Sequence, residues 1–177
     1  MDAADEARSL EEELEDDPED RDELLLEAAR AWQRAGEHNR AIWLLREAVM
    51  AGGEVANAAR VVLAGVLFDA GQDDEAWAAL DALRKSWPES PETLHDAALL
   101  MEKRGELEKA LTWYDLAIAR EDPDELADSF IAVGRRQVRR KLGLPEDDLD
   151  AEVEPLERRL ENALRQAKIA APPDPPR

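Results

Sequence analysis

Three glycines lay a ruler along this chain. Gly36, Gly71 and Gly105 stand 35 and 34 residues apart, each in the same surroundings. An alanine lies seven residues before each (Ala29, Ala64, Ala98) and another five residues after (Ala41, Ala76, Ala110). Large apolar residues lie four before (Trp32, Leu67, Met101) and nine after (Leu45, Leu80, Tyr114), with Ala48, Leu83 and Ala117 twelve after. Offsets of this kind keep residues on one helical face. Glycine suits the left-handed residue that ends a helix, and the polar pair after it restarts the chain. The stretch therefore reads as a helix–turn–helix hairpin written three times. An alanine on each facing helix lets the backbones approach, and the large side chains fill the space beside them. One hairpin cannot cover its own apolar face, so the copies must stack. Pro88 and Pro91 separate the second copy from the third, and Pro123 follows the third.

Composition supports helices. Ala, Leu, Glu and Arg are plentiful, while the 177 residues include only 8 glycines. The chain has no cysteine, which excludes disulfides, thiolate metal sites and cysteine nucleophiles. A net charge of −20 repels nucleic acid and anionic lipid at long range. No apolar run approaches the roughly 20 residues that span a bilayer, and the acidic N-terminus lacks the basic and apolar regions of a signal peptide. A cytoplasmic protein is the expectation, and the Ala/Arg/Asp-rich usage suggests a bacterial source.

The segments "AARAWQRAGEHNRAIWLLREA" and "AALLMEKRGELEKALTWYDLA" resemble the tetratricopeptide repeat family. That family has a large–small–large first helix, a glycine at the turn and an Ala–aromatic–Ala second helix. The copy between them is looser, with Arg60 where a large apolar residue is usual and Leu83 where Ala is usual. The resemblance covers about residues 22–122. It implies an all-α fold: a right-handed superhelical stack of three helical hairpins with capping helices. The implied organisation is an acidic N-terminal arm over 1–21, three repeats over 22–122, a degenerate repeat and capping helix over 123–169, and a disordered tail over 170–177. The run "VGRRQVRRKLGLPEDDLD" also resembles a segment of uncharacterised actinobacterial repeat proteins. Some of those carry a cysteine-containing metal motif; without cysteines, that function is not implied here.

The flanks are read from their own patterns. In residues 2–23 acids dominate, with Leu10 and Leu14 at helical spacing, which suits a solvated helix or an acidic docking arm. Residues 123–142 read as a helix with an apolar stripe of Ala127, Phe130, Ile131, Gly134, Val138 and Leu142. A last helix is expected from about Glu154, with Pro155 in its first turn and Leu156, Leu160, Ala163, Leu164 and Ala167 on one face. That face either caps the array or pairs with a second copy. Arg135, Arg136, Arg139 and Arg140 crowd one helical face in an otherwise acidic chain. Three uses compete for them: an internal ion-pair surface, a site for an acidic peptide or second chain, or a nucleic-acid contact that the net field opposes.

Nothing in the pattern points to catalysis. There are two histidines, His38 and His95, without metal spacing, and no phosphate loop, Ser–His arrangement or nucleotide fingerprint. Neither cofactor nor metal is expected, and the chain reads as no enzyme. In tetratricopeptide repeats, partners usually lie in the concave face lined by the first helices. Carried onto this sequence, that face comprises Leu26, Glu27, Arg30, Gln33 and Arg34, then Val61, Val62, Gly65, Phe68 and Asp69, then His95, Asp96, Leu99, Glu102 and Lys103. The strongest candidates are Leu26, Arg30, Arg34, Val61, Val62, Phe68, His95, Leu99 and Lys103. Leu26 and Val62 stand where carboxylate-gripping members need charge or amide, so chaperone-tail binding is disfavoured. The expected function is a scaffold or adaptor that holds a hydrophobic or amphipathic peptide of another protein. The alternative is a structural homodimer built through the C-terminal helices.

Overall fold

The computed structural model describes residues 2–16 and 19–170. Among them every regular element is helical: α1 (Ala3–Glu15), α2 (Arg21–Arg34), α3 (His38–Ala51), α4 (Gly53–Asp69), α5 (Asp73–Lys85), α6 (Pro91–Lys103), α7 (Leu107–Ile118), a 3₁₀ turn at Leu126–Asp128, α8 (Phe130–Lys141) and α9 (Asp148–Ala170). The expected proline-rich tail falls on residues 171–177, outside the described residues. No described helix is long and apolar enough to cross a membrane.

The hairpins α2–α3, α4–α5 and α6–α7 turn at the ruler glycines, whose φ values are +80°, +74° and +78°. A side chain there would be strained, and each turn closes in the same way. The residue after the glycine donates its N–H across the helix end: Glu37 to Trp32 O (3.0 Å), Gln72 to Leu67 O (2.8 Å) and Glu106 to Met101 O (2.9 Å). This is the six-to-one bond of a Schellman end, which satisfies a carbonyl the helix itself leaves open. Within the hairpins Ala29, Ala64, Ala98, Ala41, Ala76 and Ala110 are all fully buried. Leu67, Met101, Leu45, Leu80 and Tyr114 fill the space around them in one continuous core. The first helices α2, α4 and α6 pack side by side, and the array is a tetratricopeptide-like helical repeat.

Both ends of the array are covered. Helix α1 starts at Asp2, whose side chain accepts the N–H of Asp5 at 2.8 Å. It lies along α2 with Ala7 and Leu14 buried. Most acids of this helix are exposed, as expected of a solvated helix, Glu12, Glu13 and Glu15 among them, but two turn toward the array. Glu11 accepts from Trp32 Nε1 (2.9 Å) and from Arg40 (2.6 and 2.8 Å), and Glu6 pairs with Arg34 (2.8 Å). Apolar spacing brings the helix to α2, and the arginines of α2 and α3 then take its carboxylates.

At the other end two helix starts differ from the expectation. Helix α8 begins at Phe130 rather than near Pro123, because the Ser129 hydroxyl accepts from the N–H groups of Ile131 and Ala132, both at 3.1 Å. Of its expected stripe, Ile131 and Val138 are buried, but Phe130 and Ala127 are exposed. Helix α9 begins at Asp148, before Pro155 rather than beside it. Asp147 accepts from Asp150 N (2.9 Å) while Asp150 accepts from Asp147 N (3.1 Å). That reciprocal capping box fixes the start, and Pro155 is carried inside the helix. Ala132 and Val133 of α8 meet Val153 and Leu156 of α9 in a small second core. Beyond Leu160 the described face of α9 is exposed, Leu164 included.

Gly134 marks the tightest contact between the array and α8. A Cβ added there would stand 2.6–2.8 Å from the Tyr114 ring, which is buried and whose hydroxyl donates to Glu102 Oε1 at 2.7 Å. Gly134→Ala gains about 1 kcal/mol of helix propensity but overpacks at a cost of about 1–3 kcal/mol. The overpacking wins. The thermal midpoint of Gly134→Ala, followed by circular dichroism, is expected to fall by about 2–4 °C.

Candidate functional site

The face shared by α2, α4 and α6 carries an open depression of about 300 Å³. Its floor is Val61, Val62 and Gly65 of α4 with Leu100 of α6, and its rims are Arg30, Gln33 and Arg34 of α2 and Asp96 of α6. Helical periodicity explains the set. Residues 30, 33 and 34 share one stripe of α2, and residues 61, 62 and 65 share one stripe of α4. Gly65 lacks the side chain that would otherwise fill the floor. A Cβ there would lie 3.6 Å from Leu100 Cδ1 and 3.9 Å from Gln33 Nε2, ordinary contact distances. Gln33 also reaches Asp69 at 3.3 Å, joining α2 to α4.

The residues expected to line this face are divided by the structure. Arg30, Arg34, Val61 and Val62 converge on the depression. Leu26 is half-buried and packs against the core. Leu99 is 46% exposed on α6, and Lys103 is exposed at the same helix's end. Phe68 is buried: its ring stands edge-on to Trp77 at 5.0 Å, and the Arg104 guanidinium covers it at 3.6 Å. His95 does not line this depression. Its ring lies 5.7 Å from that of Tyr114, and it borders an acidic depression with Glu92, Glu121, Asp124, Glu125 and Asp128. Leu100, absent from the expected set, is part of the floor. The offset from the repeat glycine selected Leu99 and passed over its neighbour.

The arginine cluster of α8 meets acids of the same chain. Arg135 pairs with Asp115 (2.7 Å), Asp147 (2.9 Å) and Asp150 (3.5 Å). Arg139 pairs with Asp150 (2.8 Å) and Asp147 (3.3 Å). Arg136 reaches Glu157 and, at 2.6 Å, Glu146, while Arg140 joins Glu157 at 2.7 Å. Lys141 extends the network to Glu102 on α6 at 2.7 Å. Arg136, Asp150 and Glu157 are only 5%, 2% and 3% exposed, so this is an ion-pair layer inside the protein. Burial alone would lower the pKa of Arg135, but its hydrogen bonds to Asp147 and Asp115 outweigh that and raise it. Asp147 shows the converse: burial pushes its carboxyl up, and the Arg135 hydrogen bond brings it below the ordinary range. Burial drives the Tyr114 phenol upward, and its bond to the Glu102 carboxylate adds to the effect.

No family model matches the chain, and no curated protein matches it. Among solved structures it is similar to one described as the crystal structure of MamA, with 21% identity and a TM-score of 0.49 over 92% of this chain and 89% of that one. A structure of MamA AMB-1 gives 13% identity and a TM-score of 0.46 over 88% and 79%. A MamA RS-1 double mutant gives 18% identity and a TM-score of 0.49 over 97% and 99%.

Two outcomes follow from the ion-pair layer. Removing one partner of a buried pair leaves the other charge uncompensated, at about 3–5 kcal/mol. Arg136→Met leaves Glu157 with Arg140 alone and is expected to lower stability by about 1–3 kcal/mol in urea unfolding, and the double change Arg136→Met with Glu157→Leu to recover most of it. The pH response has a defined sign. Asp147 and Glu11 are held below the ordinary carboxylate range, Glu11 chiefly by the Arg40 hydrogen bond. Stabilisation from such a depressed group is complete above its unfolded value and lost as pH falls through its folded value. The thermal midpoint should therefore stay level from neutral pH to about 5 and drop below about pH 4.

Proposed function

We propose that this chain is a non-catalytic interaction scaffold that holds an apolar or amphipathic segment of a partner protein along its concave face. One observation carries the reading: an open depression with an apolar floor of Val61, Val62 and Leu100 runs across three successive first helices. Leu99, 46% exposed beside them, extends the apolar strip. Removing such a strip from water favours a complex, and only the surplus over the cost of ordering the ligand appears as affinity. The charged rims add orientation more than affinity. Arg30 stands on the α2 side and Asp96 on the α6 side, while Arg34, also on the α2 rim, is paired with Glu6 at 2.8 Å. A ligand segment presents acids toward α2 and a base toward α6.

Selection of peptides from a displayed random library against the intact chain tests this. Enriched sequences are expected to carry two or more large apolar residues at helical spacing. Gly65→Ala separates binding from folding. It should raise the thermal midpoint, since Ala exceeds Gly in a helix by about 1 kcal/mol, and weaken the selected peptides by at least threefold by filling the floor. Val62→Glu should weaken them by about tenfold or more, because an apolar contact would then have to bury a carboxylate. Unchanged binding by both variants would remove the concave face from the function.

A further inference from the structure

The opposite face of the array carries a second cleft, where the stack is locally open. Helices α3 and α4 are joined by Gly52 alone and pack closely along each other. Between α5 and α6 the connector is Ser86–Ser90, and these two helices barely touch. The second helices α5 and α7 are left as the walls of a cleft. Trp77, Leu80 and Arg84 line one wall, and Lys109, Trp113 and Leu116 the other. Both sets repeat at three and four residues, so each wall is a single helical stripe. A contiguous depression, sharing Arg84 and Leu116, continues the cleft to Trp87 and Pro88; the two parts enclose about 300 and 370 Å³.

Two features set this cleft apart from an incidental gap. The first is charge. The chain carries −20 overall, yet the lining holds Arg84, Lys85, Lys109 and Arg120 against the single carboxylate of Asp81. Asp81 serves both Lys85 (2.5 Å) and Arg84 (3.5 Å). Lys109 lies 4.6 Å from the Trp77 ring centre and also pairs with Glu106 at 2.6 Å. Arg120 binds the carbonyls of Pro88 (2.6 Å) and Leu116 (2.9 Å), which leave its charge unneutralised. The second is Trp87. It is the one non-glycine residue in the left-handed region among those described, at φ +51°, and its side chain is 74% exposed. A bulky residue is strained in that conformation, and here it keeps an indole in solvent at the mouth of the cleft.

We propose that the α5–α7 cleft, extended by Trp87, docks an acidic amphipathic helix of a partner protein. The walls run from residue 77 to 85 and from 109 to 120, which matches about three helical turns at 1.5 Å per residue. A helix laid between them sets leucine-like side chains against Trp77 and Leu116, over a floor formed by the buried Leu80 and Trp113. Its flanking carboxylates meet Arg84, Lys85 and Arg120, and Trp87 closes over one end. This is the helix-in-groove mode, with tryptophan and arginine, the residues that most often anchor interfaces. The chain's own helices do not supply the ligand. The acids Glu6 and Glu11 of α1 are engaged by Arg34 and Arg40, and the outer part of α9 carries Arg158, Arg159 and Arg165, the wrong sign.

The test uses the full chain and two fluorescein-labelled helical peptides of about 16 residues, measured by anisotropy. Both carry leucines at helical spacing; one has Asp and Glu at the remaining positions, the other Lys. The acidic peptide is expected to bind, with an affinity that falls as salt rises, and to bind at least tenfold more tightly than the lysine peptide. Trp87→Gly keeps the backbone conformation and removes the indole. That variant, and the pair Arg84→Glu with Lys85→Glu, should each raise the Kd of the acidic peptide at least tenfold while circular dichroism stays as in the parent. Four results would overturn the proposal: no binding of the acidic peptide, equal binding of the lysine peptide, no effect of either variant, or loss of the acidic peptide on Val62→Glu, which would seat it on the concave face. A dimer of the chain alone in light scattering that Trp87→Gly dissolves would make a second copy the occupant and would overturn it equally.

Discussion

Two helix backbones can lie close together only where both present small side chains, and six alanines supply that condition here. Ala29 with Ala41, Ala64 with Ala76 and Ala98 with Ala110 are fully buried within their hairpins. The large residues of the core lie around these contacts, so their packing depends on the approach the alanines allow. The glycine turns come second: they aim each returning helix back along its partner. Stacking comes third, because the faces left apolar by hairpin formation exceed what one hairpin can cover. The concave face and the cleft opposite it are both products of that order. The concave depression lies where the first helices meet and Gly65 leaves out a side chain, and the opposite cleft lies where second helices are held apart by a longer connector.

A stack of this kind has two ends, and the chain treats both with charge. Alpha-helical covers could be apolar throughout, but each here places a carboxylate or guanidinium over an apolar contact. At the start Glu11 joins Trp32 of α2 and Arg40 of α3. At the finish α8 presents four arginines to the acids that begin α9. A buried ion pair adds little net stability over an apolar isostere, yet it penalises any arrangement that leaves one charge alone. The layer between α8 and α9 therefore fixes the register of the last helix against its neighbour. The apolar core beside it is small, Ala132 and Val133 with Val153 and Leu156.

Legibility in the sequence follows the range of the forces involved. The hairpins were readable because a glycine turn and the alanines around it act within about a dozen residues, and the same signal occurs three times. Helix starts were less so. Pro155 is a strong local mark, but the reciprocal bonds of Asp147 and Asp150 lie earlier and win. Pro123 likewise yields to Ser129, whose hydroxyl takes two N–H groups at once. The arginine cluster was visible, but its partners depend on where α9 lands. Phe68 shows the same limit: its offset from the glycine suits the groove, but Trp77 and Arg104, 9 and 36 residues on, cover it. Leu100 and Trp87 had no such signal. One neighbours the residue that periodicity selected, and the other stands in a connector between copies, where the repeat provides no template.

The cations of this chain follow an uneven distribution that bears on how it meets partners. Most arginines with short carboxylate contacts lie where elements join: Arg34 and Arg40 under α1, Arg46 against Glu75 between α3 and α5, and the α8 set against α9. Those charges are matched within the protein and project little field. Unmatched acids dominate the rest of the surface, and the long-range potential is negative. An acidic partner approaching from solution meets repulsion nearly everywhere. Between α5 and α7, where Arg84, Lys85, Lys109 and Arg120 gather around Asp81 and Glu106, repulsion gives way at short range. Such an arrangement selects by contrast: weak non-specific association over the surface, and attraction confined to one cleft.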